Sequence, residues 1–591
     1  MHRPLTPTPK PQPARKRLLI CCDGTWQSAV DGQERIPSNV TRLCRAIDSV
    51  GIDPHDHQPW QQIVWYDSGV GTNTTAAGPL RNFTEGALGQ GLEGNIVEAY
   101  HFCALNWNPG DQILCFGFSR GAYTARAIAG LISDIGICPP HQIANFPALW
   151  KVYKKTPPGE RFYGSDAYYE FFRGRRSSFG GEEGEEEEDG AEEEEGFWES
   201  AAEWASTPES RQVQVVGVFD TVGNLGFPEL FGHELPAWLT WTDKPEWHNV
   251  GLSPNIKNAF QALALDEHRR LFRPAMFFVP APKNITESQS RAIKQEARNA
   301  TREWLKLVRS GAASTEELHA AEKRRNAAAR ELLEWEDSQK EPSQLTQVWF
   351  PGFHIHIGGG SNQTLKNKGN MEEMSHIVFA WMLDQIQGYV SLDRTLLQLE
   401  EKTREDRLRR INEALEAYQK KERRRQSESW AQWLWHTGQG LITAVQHPLT
   451  PSGDAPPAYR QIRQYGWATG DLPDSFDFTY RLNGSLARRP RRYFRDVRTN
   501  EVLGHTCECI HPTVGFRLKH VPGYRPAGLR DGQYARQLRA DGQGYEYCFR
   551  YPGEKDEEVL PEWEMARDEL SWERWVVKGK EASAYVDSLF Y

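Results

Sequence analysis

Residues 112–121 read Gln112-Ile113-Leu114-Cys115-Phe116-Gly117-Phe118-Ser119-Arg120-Gly121, and Ala122-Tyr123-Thr124-Ala125-Arg126-Ala127-Ile128-Ala129-Gly130-Leu131-Ile132 follow. The apolar run at 112–116 reads as a buried strand, and the small-residue run after Gly121 reads as a helix. Between them lies a G-x-S-x-G pentapeptide. A serine on a sharp strand-to-helix turn has its hydroxyl pushed out at the end of a sheet, and the helix N-terminus beside it favours negative charge. The glycines allow the turn and the close packing behind it. Ser119 is therefore the candidate nucleophile.

Moving outward, similar apolar runs end in polar or acidic motifs. Arg17-Leu18-Leu19-Ile20-Cys21-Cys22 leads into Asp23-Gly24-Thr25-Trp26, and Gln62-Ile63-Val64-Trp65-Tyr66 into Asp67-Ser68-Gly69. Val213–Phe219 ends in Asp220-Thr221-Val222-Gly223. Ala275–Val279 and Gln347–Phe350 read as two further strands, with helical segments around 94–106 and 120–135. This alternation predicts an α/β fold with a mostly parallel sheet flanked by helices. Motifs past the C-terminal ends of such strands fall on the edge where open α/β sheets place ligands.

Composition narrows the class. The 591 residues include 21 Trp, 20 Tyr and 26 Phe, enough for a large core. The net charge of −10 comes from residues 181–196, which hold eleven acidic residues and no basic one. The rest is close to neutral, and no basic stripe with interleaved aromatics appears, so nucleic acid is not an expected partner. Nine scattered cysteines without a CxxC pair suit reduced, buried thiols and a cytoplasmic setting. No run of about 18 apolar residues suggests a membrane span.

Residues 1–16 read as a flexible leader and 17–390 as the catalytic domain. The acidic insertion at 174–197 is too polar to bury a core. Residues 288–336 read as a helical hairpin broken at Ser310-Gly311, with Ser314-x-x-Glu317 as a capping box that restarts the helix. Residues 391–450 read as a helical cap or lid. There, Lys420–Arg425 precede Trp430, Trp433 and Trp435. Two readings stand: a solvated helix whose Trp stripe docks on the core, or a segment in peripheral contact with a membrane. The region 451–591 is loop-rich and expected to pack on the core.

A serine hydroxyl needs a base, and the base needs an orienting acid. In α/β hydrolases these follow the serine in the order acid, then histidine. Asp220 ends an apolar strand and is the candidate acid. His354, in Phe353-His354-Ile355-His356-Ile357-Gly358-Gly359-Gly360, is the candidate base, and His511 is its rival. An oxyanion hole needs two backbone N–H groups. Arg120 is expected to supply one, and Gly24 or Thr25 the other. His268 looks helical and structural. His354 and His356 are spaced for metal ligation on one strand face, but no third ligand is evident, and neither a metal nor a cofactor is expected.

Six motifs stand in one order: Cys22-Asp23-Gly24-Thr25-Trp26, Gly69-Val70-Gly71-Thr72, Phe116–Arg126, Phe219-Asp220-Thr221-Val222-Gly223, Ala264-Leu265-Asp266-Glu267 and Trp349-Phe350-Pro351-Gly352-Phe353-His354. Together they resemble an uncharacterised α/β-hydrolase domain family, common in fungi and bacteria, related to type VI secretion phospholipase effectors. The resemblance covers roughly 17–390, and Ile510-His511-Pro512 resembles a late family motif. It implies an α/β-hydrolase fold, with Ser119 as nucleophile and Asp220 and His354 as its partners. One departure stands out: the family has Asp two residues after the histidine, where this chain has His356.

The expected activity is hydrolysis of a carboxylic ester through an acyl-serine intermediate. The resemblance and the Trp-rich segment favour a lipid or phospholipid acyl ester, while a small soluble ester fits the motif equally. The competing reading is a non-catalytic protein of the same fold that binds partners through its acidic tract and helical insertions.

Overall fold

The computed structural model describes residues 15–24, 36–53, 57–69, 90–154, 208–222, 251–281, 285–311, 313–361, 372–427, 466–474, 484–496, 499–530, 534–554 and 556–590, together with 156, 162, 165 and 370. The acidic insertion, Thr25, and Trp430, Trp433 and Trp435 lie outside the described residues.

The core is an eight-stranded sheet. Its strands are β1 (Lys16–Cys22), β2 (Val50–Ile52), β3 (Pro59–Asp67), β4 (Gln112–Phe118), β5 (Val213–Phe219), β6 (Ile256–Ala264), β7 (Gln344–Phe350) and β8 (Glu508–Ile510). Their spatial order is β8-β7-β6-β5-β4-β1-β3-β2. Every pairing is parallel except β2 with β3. The expected mostly parallel sheet flanked by helices is thus the observed fold.

Sequence alternation explains how the sheet is covered on both faces. Along β1, Leu18, Ile20 and Cys22 join one apolar cluster, with Tyr100, Ile128 and Ile132 of helices α2 (Gln90–Asn106) and α3 (Arg120–Ile135). Leu19 and Cys21 join the other, with Val40 of α1 (Asn39–Ala46) and Ile377 and Trp381 of α7 (Glu372–Ile386). A strand buried on both faces needs the near-continuous apolar run that Leu18–Cys22 supplies.

The order of strands creates the site. From β1 the chain goes outward to β3 on one side, then returns to lay β4 on the other side of β1. Such a reversal opens a crevice beyond the C-terminal ends of the two strands. Asp23 and Gly24 leave β1 there, and Ser119 leaves β4 there.

Two expectations need correction. Residues 275–279 are not a strand of the central sheet; only Val279–Pro280 pairs, in a separate three-stranded sheet with 502–505 and 493–495. The Ala275 N–H donates to the Thr221 carbonyl at 3.0 Å, and side chains satisfy the Ala275 carbonyl and the backbone of Phe277. Arg126 and Gln261 donate to the Ala275 carbonyl at 2.5 and 3.0 Å, and Gln347 pairs with both the N–H and the carbonyl of Phe277 at 3.0 Å each. The strand that fills this place is β6, Ile-Lys-Asn-Ala-Phe-Gln-Ala-Leu-Ala, whose Ala, Gln and Leu favour helix when isolated. Pairing with β5 and β7 on both sides overrides that preference. His268 is also not helical; it lies in the loop after β6 and bonds Ser485 Oγ at 2.8 Å and Asp474 at 2.9 Å.

Helices α4 (Glu287–Ser310) and α5 (Thr315–Ser338) pack on each other through Ala297, Ala300 and Ala328. Gly311 takes the left-handed conformation that ends α4, at φ 61°. Ser314 and Glu317 form a reciprocal capping box at the start of α5. Helix α8 (Arg394–Ser427) buries Leu397 and Leu408. Among the described residues, no helix is long and apolar enough to cross a membrane. Beyond residue 484 the chain is more ordered than its loop-rich composition suggests. It adds β8 to the central sheet, helix α9 (Pro512–His520) and a three-stranded antiparallel sheet at 534–538, 545–549 and 558–561.

Candidate active site

Ser119 sits at φ 58°, ψ −123°, a strained conformation for a residue with a side chain. The glycines on either side make it attainable. A Cβ on Gly117 would lie 2.4 Å from the Gly121 carbonyl oxygen, and one on Gly121 would lie 2.3 Å from the carbonyl oxygens of Cys22 and Asp23. Helix α3 therefore starts pressed against the end of β1. The Ser119 N–H donates to the Phe219 carbonyl at 3.1 Å, which ties the turn to β5.

The structure brings three of the expected residues together. His354 Nε2 lies 2.8 Å from Ser119 Oγ, and His354 Nδ1 lies 2.5 Å from Asp220 Oδ2. Ser119, His354 and Asp220 are all buried. His354 heads a short helix, α6 (His354–Gly358), rather than extending β7, so it does not share a strand face with His356. The reversal at Gly352, at φ 108°, separates strand from helix. Its ring is held between Phe118, stacked at 4.8 Å, and the edge of Phe272 at 5.0 Å.

The Asp266-Glu267 pair, which the sequence offered without a role, fixes this loop. Asp266 accepts the Gly352 N–H at 2.6 Å and the Tyr524 hydroxyl at 2.9 Å. Glu267 accepts the His354 N–H at 3.1 Å and a two-pronged contact from Arg269 at 2.9 and 2.7 Å. Burial pushes the Glu267 carboxyl up, but Arg269 outweighs it and holds the group at about 2.

One residue at the site gave no sequence signal. Arg488, 268 positions beyond Asp220, donates through Nη1 to Asp220 Oδ1 and through Nη2 to Oδ2, the latter at 2.9 Å. Burial pushes the Asp220 carboxyl up, but Arg488 and His354 more than reverse this and hold it well below the usual carboxylate range. Burial lowers the His354 imidazole below its ordinary value, against the opposing pull of Asp220. At neutral pH His354 is therefore neutral. With Asp220 ionised and accepting only, the ring proton sits on Nδ1 and leaves Nε2 to accept from Ser119.

The remaining expected residues lie differently. His511 is buried away from Ser119: Nε2 bonds Glu573 Oε1 at 2.8 Å, Nδ1 bonds Thr513 Oγ1 at 2.7 Å, and the ring stacks on Phe350 at 4.4 Å. It caps α9, which its side chain joins through the Thr513 N–H. Both ring nitrogens are engaged there, and the structure does not bring His511 together with Ser119 and Asp220. The Gly24 N–H donates to its neighbour Asp23 Oδ1 at 2.7 Å, so it is turned to that carboxylate rather than held for an oxyanion. Asp23 in turn accepts hydroxyls from Ser38, Thr41 and Tyr66 at 2.6, 2.8 and 2.8 Å. His356 is fully buried; its Nδ1 accepts the Phe353 N–H at 3.1 Å. Burial, then Arg517, lowers its pKa to about 3, so it is a neutral capping group. Among the described residues, no three His, Cys, Asp or Glu side chains group as metal ligands. A cavity of about 670 Å³ lies beside the His354 loop, lined by Asp266, His268, Phe353, Arg517 and Tyr524, but the Ser119–His354–Asp220 line is not on its wall.

With this geometry in place, comparison with known proteins gives the family. Residues 16–385, well over half of the chain, match the catalytic domain of Tle1-like phospholipase effectors of the type VI secretion system (T6SS). The chain belongs to that family. A 170-residue stretch, 26% of this chain, is 27% identical to the uncharacterized protein YEL023C of Saccharomyces cerevisiae, and spans 24% of that protein's length. The crystal structure of an uncharacterized protein from Pseudomonas aeruginosa aligns at 15% identity over 64% of this chain and 46% of that one. Its TM-score of 0.26 is below the level from which a shared fold follows.

Proposed function

We propose that this protein is a serine hydrolase that cleaves a carboxylic ester, with a lipid or phospholipid acyl ester as its substrate. The observation that carries the reading is the hydrogen-bonded line from Ser119 Oγ through the His354 ring to Asp220. Membership of a phospholipase effector family supports the lipid substrate.

This reading implies the following steps. Ser119 Oγ attacks the ester carbonyl carbon while His354 Nε2 takes its proton. Asp220 holds the resulting imidazolium through Nδ1–H. The N–H of Arg120, first in α3, supports the oxyanion together with the helix dipole. The second donor is assigned by sequence position to Thr25. As the tetrahedral intermediate collapses, the leaving alcohol takes the proton from Nε2. Water then enters, His354 acts as base again, and the acyl group leaves as a carboxylic acid.

The test is to incubate purified protein with a panel of phospholipids and neutral acylglycerols and identify the products. Free fatty acid with the matching lyso-product is expected from the parent and absent from Ser119→Ala. Release of a phosphorylated headgroup instead of a fatty acid would overturn the ester assignment.

A further inference from the structure

Asp220 lies wholly inside the protein, and the lone pairs of its carboxylate are fully used. Oδ1 accepts from Arg488 Nη1 and from the Ala264 N–H at 3.0 Å; Oδ2 accepts from Arg488 Nη2 at 2.9 Å and from His354 Nδ1 at 2.5 Å. Two of those four donors belong to one guanidinium. Arg488 is itself 4% exposed, and it also donates to the carbonyls of Ala264 at 3.1 Å and Phe272 at 2.6 Å. Phe272 is the residue whose ring edge meets His354. A single planar fork thus fixes the acid, the strand end beside it and the backbone behind one wall of the base.

From this arrangement we propose that Arg488 is a positioning residue for catalysis, holding Asp220 charged and in the plane from which Oδ2 reaches His354 Nδ1. The proposal rests on the serine hydrolase reading of the same site. It assigns a role to a segment outside the matched family span of 16–385. Residues 484–496 lie in the loop-rich tail, and through Arg488 they complete the shell around the catalytic acid.

The charge carries a signature that a purely structural arginine lacks. The groups facing the Asp220–His354 pair are Arg488 on one side, the neutral Ser119 on the other, and the Glu267–Arg269 ion pair behind the loop. Removing Arg488 removes a positive charge from the pair and empties two acceptor sites in a buried carboxylate. The first proton that the pair takes up as the pH falls is then held more tightly, whichever of the two groups carries it. The acid limb of activity must move to higher pH. A lysine keeps the charge but not the two-pronged grip.

The experiment measures kcat and KM against pH on a soluble short-chain nitrophenyl ester for the parent, Arg488→Met and Arg488→Lys. The rate of fluorophosphonate labelling is followed alongside. For Arg488→Met the expectation is a kcat lower by about 30-fold or more, a KM within about threefold, and an acid limb about one pH unit higher. Arg488→Lys should lose at least about fivefold in kcat with its acid limb near the parent's. An unshifted limb in the Met variant, or a kcat within about threefold of the parent, would overturn the proposal. Should the Met variant fail to fold, an undiminished kcat in Arg488→Lys overturns it. Failure of the parent to label at all would instead remove the hydrolase reading beneath it, so the two failures are distinct.

Discussion

The N–H of Ser119 donates to the carbonyl of Phe219 at 3.1 Å, so the turn that carries Ser119 is joined to the strand that delivers Asp220. Phe219 is the last residue of β5 and Asp220 follows it directly. Asp220 also leaves the ordinary conformation, at φ 47°, while its N–H holds the Ala262 carbonyl of β6 at 2.8 Å. The backbones of β4, β5 and β6 thus set the separation of Ser119 and Asp220 before any side chain is placed. Preorganisation of this kind lets a site act without rearranging at the moment of reaction.

The first prediction concerns that backbone. Gly121 lies where a methyl group would meet two carbonyl oxygens, of Cys22 and Asp23, at 2.3 Å. Neither is a flexible side chain that can swing aside. Gly121→Ala is expected to destabilise the protein by at least about 1–3 kcal/mol. Hydrolysis should fall further, because the turn must lift away from β1. A thermal melt and a rate measurement at low temperature check both. Unchanged melting and activity would show that the contact is slack.

The second separates His354 from its rival. His511 is engaged at both ring nitrogens by Glu573 and Thr513. His511→Ala leaves the buried Glu573 with one hydrogen-bond partner fewer and is expected to cost about 1–3 kcal/mol of stability. Catalysis, measured where the variant is still folded, should stay within about threefold of the parent. His354→Ala should abolish it. The reverse pattern would return the base to His511.

Much of this was legible in the sequence, for reasons that can be stated residue by residue. Leu18–Cys22, Ile113–Phe118 and Val215–Phe219 are buried on both faces, so each lacks a polar side chain and each ends in a motif residue. Helix α3 is read from its small residues and α5 from Ser314 and Glu317. β6 escaped because Ala, Gln and Leu favour helix until two neighbouring strands pair with them. The run 275–279 reads as a strand because it is apolar, but much of the backbone of 275–277 bonds to the side chains of Arg126, Gln261 and Gln347 and only Val279 joins a ladder. His354 reads as a strand extension because nothing local announces that the reversal at Gly352 starts a helix. Arg488 was invisible, since an arginine in an arginine-rich stretch carries no mark of a partner 268 positions away.

The third prediction uses His356. Burial and Arg517 depress its folded pKa to about 3, whereas an exposed histidine titrates near about 6.5. The unfolded chain therefore takes up a proton that the folded one refuses. This stabilisation is fully present above about pH 6.5, falls by about 1.4 kcal/mol per pH unit below it, and is gone once the pH drops below the folded value. Glutamine can still accept the Phe353 N–H from this position and does not titrate. His356→Gln is thus expected to lose about 1–2 kcal/mol less than the parent between pH 7 and pH 5 in denaturant unfolding. Parallel losses would show that His356 does not carry this share of the acid sensitivity.

The central claim is that Ser119 is the nucleophile and that His354, set by Asp220, activates it. The most direct measurement is to treat the parent protein with a fluorophosphonate, digest it, and locate the adduct by mass spectrometry. The account predicts one phosphonylated residue, Ser119. It also predicts that labelling slows steeply in His354→Ala and Asp220→Ala, and that the adduct is absent from Ser119→Ala. An unlabelled parent, an adduct on another residue, or undiminished labelling of Ser119 in His354→Ala would contradict it.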